Sequence, residues 1–193
     1  MNQQKIEQAI KIILEEIGED IEREGIKYTP TRVARLYKNL FYGYTKKLTV
    51  MNEQERNGET IDENTIPITV FKTDKNELLI RKVEFNSFCE HHFVGIEGEC
   101  WVGIIPNKLL LGMNKIDKIV KYFAAGLQIQ ERLTKEIADW INENVEPVGV
   151  IVVIKANHMC AELQGDNGKF TTSAVRGVFA AQDGARQEFL KLI

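Results

Sequence analysis

The sequence predicts an α+β protein, with a helical N-terminal extension and a larger domain in which strands precede and follow two helices. Three observations predict this. Apolar residues first recur at helical spacing, then β-branched runs separated by turn residues follow, and a helical period returns from Asn114 before the last strands. A polar, weakly patterned segment separates the two parts. We therefore assign residues 1–64 to the extension and its connection, and residues 65–193 to the main domain.

The extension is predicted to contain two amphipathic helices. Isoleucines from Ile6 to Ile21 recur every three or four positions, and Gly25 suits the C-terminal cap of that helix. A second helix is predicted to open at Thr29-Pro30, a cap residue followed by proline. Its arginines, Arg32 and Arg35, share one face, which is either a solvated face or a candidate anion site. The predicted buried stripe comprises Val33, Leu36, Tyr37, Leu40 and Phe41.

The first half of the main domain is predicted to be strands. Residues 43–64 are polar, with Asn57-Gly58 as a turn signal, and are interpreted as a connection. Residues 66–73 and 78–88 are predicted to pair across the turn residues 74–76. The second of these strands ends at Cys89, and a further strand covers 93–105 before Pro106.

The second half returns to helices before it closes with strands. Two helices are predicted on either side of a break near Gly126. Residues 148–156 form a strongly apolar, central strand that delivers His158 and Cys160 just beyond its end. A strand over 171–180 and a helix over 185–192 complete the chain.

Histidine and cysteine are concentrated in two short segments. All three histidines and two of the three cysteines lie in residues 89–92 and 158–160. Cys89, His92 and Cys160 are soft ligands that suit zinc. Three protein ligands leave a fourth position open, as in catalytic zinc sites. The alternative is a set of ordinary histidines and buried thiols, which their concentration in two segments disfavours; Cys100, inside a strand pattern, is assigned to the core.

Composition excludes several classes of function. The net charge is −3, so no basic field predicts a nucleic-acid partner. The longest apolar runs are far too short to span a bilayer, and the N-terminus lacks the features of a signal peptide. We therefore expect no membrane partner and a cytoplasmic location, where thiols stay free to bind metal.

Four motifs, in order, resemble the GTP cyclohydrolase I family. They are TPTRVA at 29–34, CEHHFV at 89–94, QIQERLT at 128–134 and HMC at 158–160. The resemblance runs from about Thr29 to the C-terminus. It implies the tunnelling fold, an antiparallel sheet with two helices packed on one face, and a ring-shaped homo-oligomer, a decamer of two pentamers with sites between subunits. It also implies zinc-dependent hydrolysis of the guanine imidazole ring of GTP, giving 7,8-dihydroneopterin triphosphate and formate.

The resemblance assigns roles at the metal. Cys89, His92 and Cys160 match the family's zinc ligands, and such an ion lowers the pKa of bound water toward about 7. His91 and His158 match its catalytic histidines, and an ordinary pKa of about 6.5 suits proton transfer near neutrality. His91 is assigned to protonation of the departing purine nitrogen, and His158 to opening and rearrangement of the ribose.

Guanine recognition is assigned to the start of the second central helix. Glu131 matches the family's guanine reader, because a carboxylate accepts from guanine N1–H and the 2-amino group together, a pairing that adenine lacks. Gln130 is predicted as a second polar contact. The structural alternative is a surface glutamate paired with Arg132 or Lys135. Glu90 is expected to be a structural acid rather than a catalyst.

The phosphate-binding end departs from the family pattern. Lys115 coincides with the family's phosphate lysine, but Lys118 and Gln164 stand where arginine is usual, and Asn114 where serine is usual. Gly126 also replaces a common arginine. A neutral amide cannot supply the paired, charge-assisted hydrogen bonds of arginine. We expect GTP to remain the substrate with looser triphosphate recognition. Compensation is expected from five cations, Arg32, Arg35, Lys115, Lys118 and Arg176.

Two other functions stay open at this point. A related zinc cyclohydrolase could act on a guanine nucleotide with a different or shorter phosphate tail, as Gln164 suggests. A purine- or pterin-binding oligomer without catalysis, or a structural zinc module, would need a missing catalytic histidine or a fourth protein ligand. Cys100 is the only candidate for that ligand.

Overall fold

The computed structural model describes residues 1–58 and 61–193. Residues 59 and 60, which belong to the predicted connection, lie outside the described residues. Contacts divide the chain into two units, residues 1–42 and 43–193. The second unit thus begins earlier than the sequence-derived boundary at residue 64.

The first unit contains the two predicted helices, α1 (Gln3–Glu16) and α2 (Thr29–Leu40). The side chain of Asn2 caps α1 by accepting a hydrogen bond from the backbone of Lys5 at 3.0 Å. The predicted continuation of α1 to Ile21 is wrong. The helix ends at Glu16 because Gly18 follows with φ +84°, the left-handed conformation that terminates helices. Leu36, predicted as buried in α2, is 51% exposed.

The second unit contains fourteen described elements. In chain order they are β1 (Lys47–Asn52), α3 (Glu53–Gly58), β2 (Thr65–Lys72), β3 (Leu79–Cys89), β4 (Gly95–Ile105), β5 (Leu109–Leu111), α4 (Met113–Ala124), β6 (Leu127–Gln128), α5 (Gln130–Val145), β7 (Gly149–His158), α6 (Met159–Glu162), β8 (Lys169–Gly177), α7 (Val178–Ala181) and α8 (Asp183–Lys191).

Two sheets organise this unit. The larger has the order β6-β3-β4-β7-β8, antiparallel except for β6, which runs parallel to β3. The smaller has the order β1-β2-β5. The predicted pairing of 66–73 with 78–88 is wrong, because β2 and β3 lie in different sheets. The turn residues between them mark a change of direction but do not specify the partner strand.

Part of the predicted connection is regular structure. β1 pairs in parallel with β2 along its whole length, from Lys47 opposite Thr65 to Asn52 opposite Val70. Only Met51 of this strand is buried. The alternation that would have revealed a strand is therefore weak, and the pairing joins residues 47–52 to the second unit.

The two central helices pack on one face of the larger sheet. Their apolar residues share a core with alternating residues of β3, β4 and β7, including Val83, Cys100, Val102, Ile119, Leu133, Ile137 and Ile154. Ile151 and Val153 of β7 point to the opposite face, where they contact Phe179 and Phe189. Burial on both faces explains why β7 is almost continuously apolar. The α+β prediction is confirmed, and the arrangement is consistent with a tunnelling-type fold. None of the helices in the described ranges has the length and hydropathy that a membrane span requires.

Strand register brings the distant motifs to one end of the larger sheet. Phe88 at the end of β3 pairs with Gly95 at the start of β4, and Ile96 pairs with His158 at the end of β7. On the other side, Cys89 pairs with Gln128 of β6, just before α5 begins. The cysteine–histidine segments and the first turn of α5 therefore meet.

Candidate active site

The first two predicted metal ligands lie in the turn between β3 and β4. The N–H of Cys89 donates to the carbonyl of Val94 at 2.8 Å, and the N–H of Phe93 donates to the carbonyl of Cys89 at 2.9 Å. Phe93 has φ 58°, a left-handed conformation that is uncommon for a residue other than glycine. The turn leaves the side chains of His91 and His92 exposed, while Cys89 is 4% exposed.

The third ligand follows the end of β7. His158 is the last residue of β7, and the short helix α6 then carries Cys160. The N–H of His158 donates to the carbonyl of Gly168 at 2.8 Å. A Cβ at Gly168 would lie only 2.6 Å from the carbonyl oxygen of His158, so this close approach requires glycine.

The three ligands form a group that fits one metal ion. The Sγ atoms of Cys89 and Cys160 and a ring nitrogen of His92 all lie within 4.8 Å of one another, and Cys89 Sγ lies 3.7 Å from His92 Nδ1. Zinc–ligand bonds of about 2.0–2.3 Å place tetrahedral ligands at comparable separations. Burial and then contact with Cys89 raise the pKa of the Cys160 thiol, so a metal that binds here must displace a proton.

Cys100 does not belong to this group. It is fully buried on β4, and burial raises the pKa of its thiol. It pairs with Val83 and Ile154 in the middle of the sheet. Among the described residues no fourth cysteine, histidine or carboxylate joins the three ligands. A closed structural zinc site therefore has no protein ligand to complete it in the described ranges.

A cavity of about 330 Å³ lies beside the ligands. Its lining includes the ligands themselves together with His91, His158, Gln130 and Glu131. These side chains come from the β3–β4 turn, the start of α5 and the end of β7. The structure therefore gathers the predicted catalytic and guanine-binding residues around one concave surface.

His158 is half-buried at the edge of this cavity. Burial lowers the pKa of His158 below its ordinary value, and the carboxylate of Glu131 opposes that shift. The ring of Phe170 meets the imidazole edge to face, with centroids 6.4 Å apart. His158 Nε2 lies 2.9 Å from Gln130 Oε1. The imidazole is therefore fixed on one side and borders the cavity on the other.

The side chain of Gln130 does not occupy the position expected of a guanine contact. Its side chain is 1% exposed, and Nε2 lies 3.0 Å from the carbonyl of Ile154 and 3.3 Å from that of Phe170. Nε2 also lies 3.0 Å from Thr172 Oγ1. An amide has two N–H hydrogens, and these three acceptors occupy both. The side chain of Gln130 therefore has no free donor for guanine, and its oxygen faces His158.

Comparison with known proteins decides which family this site belongs to. Residues 6–193 match the family model described as GTP cyclohydrolase I. A Campylobacter jejuni (serotype O:6) protein named GTP cyclohydrolase 1 is 42% identical, over 99% of this chain and 95% of its own length. The protein of that name from Leptospira biflexa is 41% identical, over 97% of each chain. The chain belongs to the GTP cyclohydrolase I family.

Membership of the GTP cyclohydrolase I family confirms the resemblance drawn from the four motifs and the prediction of an enzyme of this type. It supports GTP cyclohydrolase activity. The crystal structure of the archaeosine synthase QueF-Like in the apo form aligns with a TM-score of 0.45 at 20% identity, covering 52% of this chain and 93% of that chain. That similarity is too low to carry an argument.

Glu131, predicted as the guanine reader, lies exposed in the first turn of α5 and lines the cavity. The alternative was a surface ion pair with Arg132 or Lys135. Arg132 instead pairs with Glu90, and Lys135 pairs with Asp139. No ion pair or hydrogen bond from a described side chain occupies the Glu131 carboxylate.

The pairing of Glu90 with Arg132 was not predicted. Arg132 contacts the Glu90 carboxylate, donates to the carbonyl of Leu127 at 3.0 Å and to Gln128 Oε1 at 3.0 Å. The hydrogen bond from Arg132 holds the pKa of Glu90 below its ordinary value. This network ties the ligand turn to α5. The two charges lie 42 residues apart in the sequence, so no local pattern could have joined them.

The residues predicted to bind phosphate lie on three elements: α2, α4 and the turn that follows α6. Lys115 on α4 is 5% exposed, and burial, then the charges of Lys118 and Arg56, lower its pKa. Asn114 is exposed and Lys118 half-buried. Gln164 is exposed, and its Nε2 donates to the carbonyl of Cys160 at 2.6 Å. The other two members of the predicted set, Arg32 and Arg35, lie exposed on α2 in the first unit.

Proposed function

We propose that this protein hydrolyses the imidazole ring of GTP to 7,8-dihydroneopterin triphosphate and formate, with zinc as the metal. The observation that carries the proposal is the Cys89–His92–Cys160 group at a cavity that also holds His91, His158 and Glu131. The donor set of two thiolates and one imidazole favours zinc over harder cations. When bound, zinc would supply Lewis acidity and a water of lowered pKa.

Guanine selection is assigned to Glu131. Its carboxylate has two oxygens that accept from N1–H and from the 2-amino group of guanine. Adenine presents neither donor in that arrangement, so bound ATP would leave the carboxylate unpaired. The absence of a described salt-bridge partner for Glu131 supports this role, because no intramolecular contact has to be broken first.

Proton transfer is assigned to the two remaining histidines. His91 is exposed in the ligand turn, with its Nε2 3.7 Å from Glu90, and we assign it the donation of a proton to the departing purine nitrogen. His158, fixed against Gln130, serves the opening and rearrangement of the ribose. Both histidines line the same cavity as Glu131, which supports their action on one bound nucleotide.

Triphosphate binding is assigned to a looser set, namely Asn114, Lys115, Lys118, Gln164, Arg32 and Arg35. Gln164 supports a second candidate function, the same ring hydrolysis on a guanine nucleotide with a shorter tail. Its amide is neutral and hydrogen-bonds within its own turn, to Cys160. An arginine at this position would add a charged donor worth about 1.5–3 kcal/mol.

The remaining features of the proposal come from the family resemblance and the sequence. We assign a cytoplasmic location and a ring-shaped homo-oligomer, specifically a decamer of two pentamers. Light scattering on the purified protein measures the oligomer directly. A monomer or dimer that releases formate at the full rate would show that hydrolysis does not require the ring-shaped oligomer.

The test of the function is a nucleotide series with the zinc-loaded protein. Formate release and pterin fluorescence are measured with GTP, GDP, GMP, guanosine and ATP, alongside zinc content. We expect one zinc per chain, formate from GTP and none from ATP. A zinc-loaded protein that leaves every guanine nucleotide intact would contradict the proposal. Equal rates with GTP and GMP would favour the second candidate.

A further inference from the structure

The buried amide of Gln130 has only one orientation that its surroundings allow. The carbonyl oxygens of Ile154 and Phe170, at 3.0 and 3.3 Å from Nε2, can only accept hydrogen bonds. Rotation of the amide by 180° would bring Oε1 against both carbonyls and leave acceptors facing acceptors. Nε2 must therefore face the carbonyls, and Oε1 must face His158.

A pair of threonines fixes the same orientation independently. The hydroxyl of Thr134 donates to the backbone carbonyl of Gln130 at 2.6 Å, so its single hydrogen is used. In the 2.6 Å contact between Thr134 and Thr172, Thr172 must then be the donor. With its own hydrogen also used, Thr172 Oγ1 can only accept from Gln130 Nε2, at 3.0 Å. The donor and the acceptor of each hydrogen bond in this series are thereby assigned.

This series of hydrogen bonds ends at the imidazole of His158. Nε2 of His158 lies 2.9 Å from Gln130 Oε1, which can only accept. If the neutral ring carried its hydrogen on Nδ1, two lone pairs would face each other in a partly buried contact, which is costly. In neutral histidine one ring nitrogen donates and the other accepts, and the hydrogen bond of one nitrogen determines the state of the other.

We propose that Gln130 is a positioning residue that holds neutral His158 as the Nε2–H tautomer, so that Nδ1 carries the lone pair available to the substrate. Gln130 then acts through His158 and does not read guanine. The tautomer follows from the hydrogen-bond chain alone. Its relevance to turnover rests on the proposed function, in which His158 transfers protons at the ribose.

The decisive measurement is the tautomer itself. The chain has three histidines, so nitrogen-15 labelling of histidine gives a simple solid-state NMR spectrum, which does not depend on the size of the assembly. The zinc-loaded protein is measured at about two pH units above the ordinary imidazole pKa of about 6.5, so that the ring is neutral. We expect His158 to carry hydrogen on Nε2 only. Hydrogen on Nδ1, or a mixture of tautomers, would overturn the proposal.

A variant then tests the role in turnover. Gln130→Met keeps the length of the side chain and removes the oxygen that faces His158. We expect the tautomer preference to be lost and kcat for GTP to fall about 10- to 100-fold, the loss typical of a partner that orients a functional histidine, with KM changed less than about threefold. A rise in KM at constant kcat would instead identify Gln130 as a guanine contact and overturn the proposal. No change in either constant would also overturn it.

Gln128→Met is the matched control for the NMR measurement. Gln128 is a second buried glutamine, 7% exposed, whose amide donates to the carbonyl of Phe123 and to Glu136. It makes no described hydrogen bond to His158, so the tautomer should stay Nε2–H. The wild-type spectrum decides the question even if Gln130→Met does not fold. Absence of formate from the wild-type protein would refute the proposed function. The His158 tautomer could still be measured by NMR.

Discussion

The two ends of the proposed nucleotide site are built in different ways. At one end, which we call the metal end, strand pairing brings the side chains to one cavity, and a hydrogen bond to Gln130 fixes His158. The metal end comprises Cys89, His91, His92, Glu131, His158 and Cys160. At the other, the cationic end, only Lys115 is buried. Within the second unit it comprises Asn114, Lys115, Lys118 and Gln164, all proposed as phosphate contacts.

This difference matches what each end has to do. Bond breaking requires the reacting groups to be held within about 0.5 Å of the productive geometry, so the side chains of the metal end need fixed positions. Attraction between a triphosphate and lysine or arginine falls off slowly with distance, so flexible cations suffice. Changes at the metal end should therefore lower kcat or abolish metal binding, whereas changes at the cationic end should mainly alter KM.

The largest effect is expected from loss of a metal ligand. Cys160→Ala removes one of the three ligand atoms that lie within 4.8 Å of one another. We expect no stoichiometric zinc in the purified variant and a fall in formate release of at least about a thousandfold, since the metal supplies several kcal/mol of stabilisation. Metal analysis and the formate assay measure the two effects separately.

Cys100→Ala is the matched control for that experiment. Cys100 is fully buried in the sheet and outside the ligand group. Its zinc content should equal that of the wild type, and only its free energy of unfolding should fall, by about 1 kcal/mol for the small cavity created. Loss of zinc from Cys100→Ala would mean that the ligand set has been assigned wrongly.

The next largest effect is expected at the guanine reader. Glu131→Gln replaces one acceptor by a donor that faces guanine N1–H, so kcat/KM for GTP should fall by about a hundredfold or more. Steady-state kinetics with GTP measures the loss. Glu143→Gln changes an exposed glutamate further along α5 and should leave the kinetics unchanged. Equal effects of the two substitutions would show that Glu131 acts only through surface charge.

The group Cys89, His92 and Cys160 could be predicted from the sequence because its signals are local and chemically specific, whereas the roles of His91, His158 and Glu131 were assigned by family resemblance. Two clusters of scarce residue types placed the ligands, and the strand and helix patterns placed each cluster at an element's end. The fine structure of the metal end could not be predicted. Glu90 and Arg132, or Gln130 and Thr172, meet only after β3, β7 and β8 have paired, and sequence spacing holds no record of those contacts.

The pairing of the strands also could not be predicted from local sequence patterns. β2 and β3 are adjacent in the sequence and separated by turn residues, yet each pairs elsewhere. The partner of a strand depends on residues that are distant in the sequence. β3, for example, pairs with β4 over ten residue pairs. The role of the cationic end stays a prediction, since exposed lysines and arginines carry no structural mark that distinguishes a phosphate site from a solvated face.

A smaller effect is expected from the buried lysine of the cationic end. Lys115→Met should raise the KM for GTP about tenfold and leave kcat nearly unchanged, because one charged contact is worth about 1.5 kcal/mol or more. Guanosine, which has no phosphates, should be unaffected. Lys121→Met alters an exposed lysine on the same helix and controls for net charge. A fall in kcat for guanosine would place Lys115 at the metal end instead.

Gln164→Arg should act in the opposite direction. The substitution restores a charged donor at the position where the neutral amide now contacts Cys160. We expect the KM for GTP to fall by up to about tenfold, with a smaller change for GMP. Kinetics across the nucleotide series provides the measurement. An unchanged KM would show that other side chains already saturate the phosphates.

The smallest effect is expected from an ion pair that belongs to neither end. Asp139 on α5 accepts from Arg176 Nε on β8 at 2.7 Å. Burial alone would raise the pKa of Asp139, but hydrogen bonds from Lys135 and Arg176 hold it below the ordinary value. A lowered carboxyl pKa adds stability above the pKa of the unfolded chain, and that stability is lost as the pH falls through the lower, folded value.

Asp139→Asn should therefore lower the free energy of unfolding by about 0.5–1 kcal/mol near neutral pH, and the difference from wild type should vanish in acid. Urea denaturation at several pH values measures it. The substitution also frees Arg176, which tests the division of the site. If the cationic end excludes this arginine, the KM for GTP stays constant. A lower KM would instead show that Arg176, once released, reaches the phosphates and belongs to that end.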